Sequence, residues 1–230
     1  MRLPNRRSGS TARDTSGLRS HCPSRTPFAP LGAILSILLG YDAVTLRETV
    51  DERLARERLD ELGAQRSLAA ICEKTWLLKV LDQLEDAIDH ANQAVRLARF
   101  TGVRRDQLQP RILRATVMQA RGEHPTAAHE LTLCADDART NQWRQLEAVA
   151  LQHRGRGSFE MREYPAAVDD FLAALRIRED AGVGQDQIET SRFALEVARS
   201  FATTGGPITL MRRPAAPTTP FDGAAEDAGS

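Results

Sequence analysis

The chain has 230 residues, enough for one well-formed domain with residues left over for tails. It carries 31 basic and 31 acidic residues, so no overall field attracts nucleic acid or an anionic membrane. Only 5% of the residues are aromatic, while Ala, Leu and Arg are abundant, which favours helices over sheets. The two lysines among many arginines are typical of a bacterial protein from a GC-rich genome.

The three cysteines, Cys22, Cys72 and Cys134, lie far apart in the sequence and form no CxxC pair. This spacing argues against a disulfide framework and against a zinc site. We expect Cys72 and Cys134 to be small buried residues, because free cysteine is often buried.

The N-terminal segment, residues 1–28, is rich in Arg, Ser, Thr, Pro and Gly and has almost no apolar periodicity. It is too polar to bury enough surface to offset its ordering entropy, so we predict a disordered basic leader. The alternative is a basic arm that binds nucleic acid or lipid. No aromatic residue interleaves the arginines to stack on bases, which favours the plain leader.

Residues 29–66 are predicted to form N-terminal helices and a degenerate repeat. The apolar run at residues 30–40 is too short to span a bilayer. It is either the apolar part of a signal peptide or, as helical spacing favours, a buried first helix. The positions with that spacing are Leu31, Ile34, Leu35, Leu38 and Tyr41. Thr45 and Glu48 form a capping-box pattern that predicts a second, charged helix up to Leu62.

Residues 67–202 repeat with a period of forty residues. The coinciding positions are Ala87, Ala127 and Ala167; Ala94, Cys134 and Ala174; and Thr75, Ala115 and Gly155. A fixed period of this length, filled by helical patterns, indicates a solenoid. Residues 187–201 are predicted to form a helix that closes the stack, and residues 203–230, rich in Pro and Gly, to form a disordered tail.

The clearest repeat carries Gly155, Tyr164, Ala167, Phe171 and Ala174 in the order of the tetratricopeptide (TPR) consensus. Ala167, Phe171 and Ala174 make one helical stripe, with the ring filling the space that the two alanines leave. The region resembles TPR proteins with repeats of about forty residues. This resemblance implies an all-α, right-handed superhelical stack of antiparallel helix pairs, with about seven to nine helices and no sheet.

The resemblance also implies that the first helix of each pair lines a concave groove that binds a partner. Lys74, Arg114 and Arg154 stand one period apart on those helices and are called here the basic ladder. The other candidate partner-binding residues are Trp76, Lys79, Gln152, Arg156 and Phe159. Such a groove suits an acidic or carboxylate-ended peptide. The alternative is that the ladder side chains pack over helix junctions with their charged ends in water.

No catalytic or metal-binding motif is visible, and we expect neither an enzyme nor a cofactor. His124 and His129 are five residues apart and do not share a helical face as metal ligands would. The sequence therefore predicts a cytoplasmic scaffold or adaptor for a protein or peptide, without a nucleic-acid or membrane partner. The alternative is a sensor module that acts with a separately encoded transcription regulator or kinase.

Overall fold

The computed structural model describes residues 36–100 and 103–207. The predicted leader, residues 1–28, lies outside the described residues, as do Cys22 and most of the predicted tail. Within the described ranges, a short β-hairpin precedes eight α-helices. The helices are α1 (Glu52–Leu62), α2 (Leu68–Val80), α3 (Leu84–Phe100), α4 (Arg104–Ala120), α5 (His124–Thr140), α6 (Arg144–Glu160), α7 (Tyr164–Ala181) and α8 (Gln185–Thr204).

The helices form three antiparallel pairs, α2–α3, α4–α5 and α6–α7, and α8 closes the stack. The period of forty residues is kept by the backbone, since the second helices begin at Leu84, His124 and Tyr164. The turn inside each pair also repeats, with a left-handed residue at Asp82 (φ 60°), Gly122 (φ 81°) and Arg162 (φ 62°). The predicted TPR-like stack is confirmed.

The stripe predicted on the last pair lies in the core, where Ala167, Phe171 and Ala174 are fully buried. Gly155 lets α6 approach α7 closely, because a Cβ there would lie 3.0 Å from the Phe171 ring. The Tyr164 ring packs against Phe159, with 5.4 Å between centroids. Cys72 and Cys134 are buried in other parts of the core, as expected.

The N-terminal part differs from the prediction. Strand β1 (Leu38–Tyr41) pairs antiparallel with β2 (Glu48–Val50), and the register is irregular between Leu38 and Gly40. Of the expected helix over residues 30–40, positions 30–35 lie outside the described residues, Ser36 and Ile37 are helical, and residues 38–40 are strand, so the expectation is wrong only for this last part. The expectation of no sheet is wrong for this segment. The repeats themselves contain only helices among the described residues of 68–201.

The capping box predicted at Thr45 is also wrong. The Thr45 hydroxyl donates to the Asp42 carboxylate over 2.8 Å and so stabilises the hairpin turn. Helix α1 begins later, where the Asp51 carboxylate accepts from the Leu54 amide over 3.0 Å. A Ser or Thr hydroxyl serves a turn as readily as a helix end, and here the turn prevails.

Candidate functional site

Alternate helices α2, α4, α6 and α8 contact one another in turn and form one face of the stack, called here the inner face. The hairpin lies against it. Leu46 packs in one apolar cluster with Phe159 and Phe171, and Ile37, which directly precedes β1, packs in another with Trp76. The hairpin therefore lies on the face that the TPR resemblance assigns to partner binding.

Glu48 of β2 reaches two cations on the inner face. Its Oε1 lies 2.8 Å from Lys79 Nζ on α2, and its Oε2 lies 2.9 Å from Arg156 Nη1 on α6. The side chains of Glu48, Lys79 and Arg156 are only 12%, 5% and 11% exposed. These three residues are called here the Glu48 centre. Because unpaired buried charges are costly, each member depends on the others.

The titration behaviour follows from this arrangement. Burial by itself would raise the pKa of Glu48, but attraction to Arg156 and Lys79 outweighs it and holds that pKa well below its usual range. Burial lowers the pKa of Lys79, and Glu48 opposes that change. Burial also lowers the pKa of His153 well below its usual range, and the nearby cations add to the effect. The imidazole is therefore neutral at pH 7.

A cavity of about 40 Å³ separates the hairpin from α6, α7 and α8. That volume holds at most a few water molecules. Its lining consists of Tyr41, Leu46, Glu48, Gln152, His153, Arg156, Phe171, Thr190, Phe193 and Ala194. One wall thus belongs to the hairpin and the others to the stack.

Lys74 of the basic ladder lies away from the hairpin. Its ammonium donates to the backbone oxygens of Gly63 (2.5 Å) and Gln65 (2.9 Å). It therefore holds the turn between α1 and α2, next to a surface cleft that His90 of α3 also lines.

The other two ladder residues lie between the helices of their own pairs. Arg114 of α4 donates to Glu130 of α5 over 3.1 Å. Arg154 of α6 makes two hydrogen bonds to the Asp170 carboxylate on α7, at 2.9 and 2.6 Å. The expected convergence of the ladder in a groove is therefore corrected, because all three cations serve junctions. The alternative was right about the junctions, but the charged ends are bonded to protein oxygens and do not lie free in water.

The remaining candidates divide between core and site. Trp76 is buried in the core cluster that Ile37 joins. Phe159 is buried beneath the hairpin. The side-chain oxygen Oε1 of Gln152 accepts a hydrogen bond from the Ser191 hydroxyl over 2.7 Å, and Gln152 also lines the cavity. With Lys79 and Arg156, Gln152 and Phe159 are thus brought together around the hairpin.

Sequence reasoning missed Tyr41, Glu48 and His153. The available signal was the alternation after the turn, since Leu46, Glu48 and Val50 face the stack while Arg47 is exposed. The inward–outward alternation of a strand is usually recognised from apolar residues at the inward positions. Glu48 is charged and inward, so the pattern was not recognised.

The described residues contain neither a cluster of metal-ligating side chains nor a membrane-spanning helix. Among residues 36–100 and 103–207, no three His, Cys, Asp or Glu residues lie close enough to hold a metal ion. In the same part of the chain, no helix has the length and apolar character needed to cross a bilayer.

Comparison with known proteins shows the fold. No family model matches the chain. No curated protein matches it either. The apo form of RapI superposes with a TM-score of 0.51 and 15% identity, over 65% of this chain and 56% of that one. A Rap protein complexed with competence and sporulation factor superposes with a TM-score of 0.53 and 17% identity, over 63% and 41%. The chain thus matches about half the length of these structures, which share its helical-repeat fold.

Proposed function

We propose that the chain is a protein-interaction module that binds a segment of a partner protein on its inner face. The observation that carries this proposal is the Glu48 centre, a buried ion-pair site formed between the hairpin and the inner face. Stability alone gives little reason for such a site, since apolar replacements of buried ion pairs are often as stable. A role in recognition supplies that reason.

The partner-binding residues in this proposal are Lys79, Gln152, Arg156 and Phe159. They offer two cations, an amide and an aromatic ring within one surface, which suits an extended segment with acidic and apolar side chains. The ladder residues are left out, because their charged groups are engaged at helix junctions.

Affinity capture with the full chain, followed by a binding measurement with the purified partner, tests the proposal. Lys79→Met with Arg156→Met should weaken partner binding at least about tenfold, which corresponds to roughly 1.4 kcal/mol. The matched control is Arg96→Met with Arg99→Met, which removes two exposed cations from the second helix α3. Equal losses in the two double variants would show that the inner face is not the binding surface.

A second candidate is a sensor module that acts on a separate transcription regulator or kinase. The similarity to a Rap protein that was crystallised with competence and sporulation factor favours it. The two candidates differ in what the captured partner does. A scaffold leaves the partner's own activity unchanged, whereas a sensor module changes the DNA binding or kinase activity of the partner when it binds.

A further inference from the structure

The hairpin resembles a bound ligand more than a part of the stack. It belongs to neither helix of any pair, and residues 46–50 place alternate side chains against the inner face. A two-stranded hairpin is at best marginally stable alone in water. Its order here therefore depends on docking, through Leu46 and Ile37 in apolar clusters and Glu48 between two cations.

The inner face requires a carboxylate at one position. If the hairpin left without a replacement, Lys79 and Arg156 would lose the partner that they share. Glu160 of α6 pairs with Arg47 of the hairpin and also attracts both cations, so it would be the nearest remaining acid if the hairpin left. It forms no direct ion pair with Lys79 or Arg156 among the described residues, so an occupant with a carboxylate of its own would restore the close pairing that Glu48 provides.

The site also has a donor that the hairpin does not use. The buried Nε of Arg156 has no hydrogen-bond partner among the described residues, although Nη1 of the same group is bonded to Glu48. Arg156 also borders the cavity. A carboxylate that approached the guanidinium side-on could bond Nε and Nη2, as Asp170 does with Arg154, a stronger arrangement than the single bond to Glu48.

Backbone strain at Leu46 makes docking of the hairpin on the inner face less favourable. Leu46 is buried with a φ of 55°, in the left-handed region that is unfavourable for a bulky residue other than glycine. A segment that presented the same leucine from an extended backbone would avoid this cost. Such strain is typical of segments that switch between two states.

We propose that hairpin residues 38–50 are an internal competitor for the inner face, displaced by a partner segment that carries an apolar side chain and, two residues later, a carboxylate. This inference rests on the proposed function and adds the ligand chemistry and its regulation. The apolar side chain of the partner segment would take the place of Leu46 beside Phe159 and Phe171. The carboxylate of the segment would bind Lys79 and Arg156 in place of Glu48.

The test uses a fluorescent peptide with the sequence of residues 44–50, added to the full chain. The host variant Leu46→Ala with Glu48→Gln has a hairpin that no longer supplies either anchor. It should bind the peptide at least about tenfold more tightly than the wild-type host, because a tethered competitor acts at a high effective concentration. A peptide with Gln in place of the glutamate, or a host that also carries Lys79→Met and Arg156→Met, should lose this gain.

Equal affinity of the two hosts, no binding by either, or indifference to the Gln peptide would overturn the inference. Hydrogen exchange on the wild-type chain is a second measurement that needs no hairpin variant. Saturating peptide should raise exchange at residues 38–50 while α2–α8 stay protected, and unchanged exchange there would also overturn it. A natural partner that binds both hosts equally through the inner face would preserve the proposed function and refute the competition.

Discussion

Two sets of cations on the first helices of the pairs differ in whether they repeat. Lys74, Arg114 and Arg154 recur at the period of forty residues and are engaged at junctions, Arg114 and Arg154 inside their own pairs and Lys74 at the turn between α1 and α2. Lys79 and Arg156 do not recur. The contrast separates charges that build the stack from charges that require another explanation.

The positions equivalent to the Glu48 centre show how far the period is broken. Gln119 and Phe159 stand one and two periods after Lys79, while Thr116 and Trp76 stand one and two periods before Arg156. A side chain that repeats serves a contact present in every unit. A buried charge confined to one unit therefore needs an explanation in that unit. Lys79 and Arg156 share this property with Glu73, Glu147 and Arg178, and differ from them in pairing with the hairpin through Glu48.

The largest expected effect concerns the repeating part. Phe171→Ala should lower the free energy of unfolding by about 3–5 kcal/mol, because the ring is fully buried and its removal leaves a cavity. Helix α6 already lies close to this position at Gly155, so it has little room to move in and fill the cavity. Urea denaturation followed by circular dichroism measures the change. Leu133→Ala on α5 is the control, since Leu133 is 43% exposed, and it should cost far less. Similar losses in both variants would show that the ring is not an essential part of the core.

The next effect concerns the part that does not repeat. Glu48→Gln should cost about 3 kcal/mol at pH 7, because it leaves two buried cations without a counter-charge. The pKa of Glu48 is lowered in the folded state, so its stabilisation is present above the unfolded pKa of about 4.3 and is lost as pH falls through the folded value. The difference between wild type and variant should therefore shrink below about pH 4.

Urea titrations of both proteins between pH 3 and 7 measure that difference. His153 and Glu160 also lie near the centre, but they are common to both proteins and largely cancel in the subtraction. A difference that stays constant over this range would mean that folding leaves the pKa of Glu48 unchanged, and the Glu48 centre would be refuted.

A smaller effect is expected at the ladder. Arg154→Gln should cost about 1–2 kcal/mol, because two charged hydrogen bonds to Asp170 are lost but the arginine side chain is 25% exposed and water can replace it. Peptide binding should be unchanged in this variant. Loss of peptide binding with unchanged stability would show that Arg154 belongs to the binding surface and does not serve the helix junction.

These contrasts also explain what the sequence could reveal. The period, the buried stripe around Phe171 and the closing helix follow from helical spacing, which every repeat reports again. The hairpin occurs once and is short, and Thr45 and Glu48 satisfy a helix-start pattern equally well. Its conformation is decided by contacts with α2 and α6, more than a hundred residues away in the case of Arg156, and a local pattern carries no information about them.

The smallest expected effect concerns the turn inside each pair, whose backbone conformation repeats although its residue type does not. The turn inside each pair has a left-handed residue, which is Asp82 in the first pair, Gly122 in the second and Arg162 in the third. Only glycine adopts this conformation without strain. Arg162 is exposed, so Arg162→Gly removes strain without loss of a buried contact.

Arg162→Gly should raise the free energy of unfolding by at most about 1 kcal/mol, because the strain relieved is partly offset by the larger backbone entropy of glycine in the unfolded chain. Gly122→Arg is the reciprocal control, and a Cβ at Gly122 meets no atom within 4 Å, so only backbone strain should oppose it. Thermal melts should move by a few degrees in opposite directions for the two variants. Both turns connect the two helices of a pair in the same way. If the melting temperature shifted in the same direction in both variants, the two turns would differ in more than residue type, and backbone strain would not repeat with the period of forty residues.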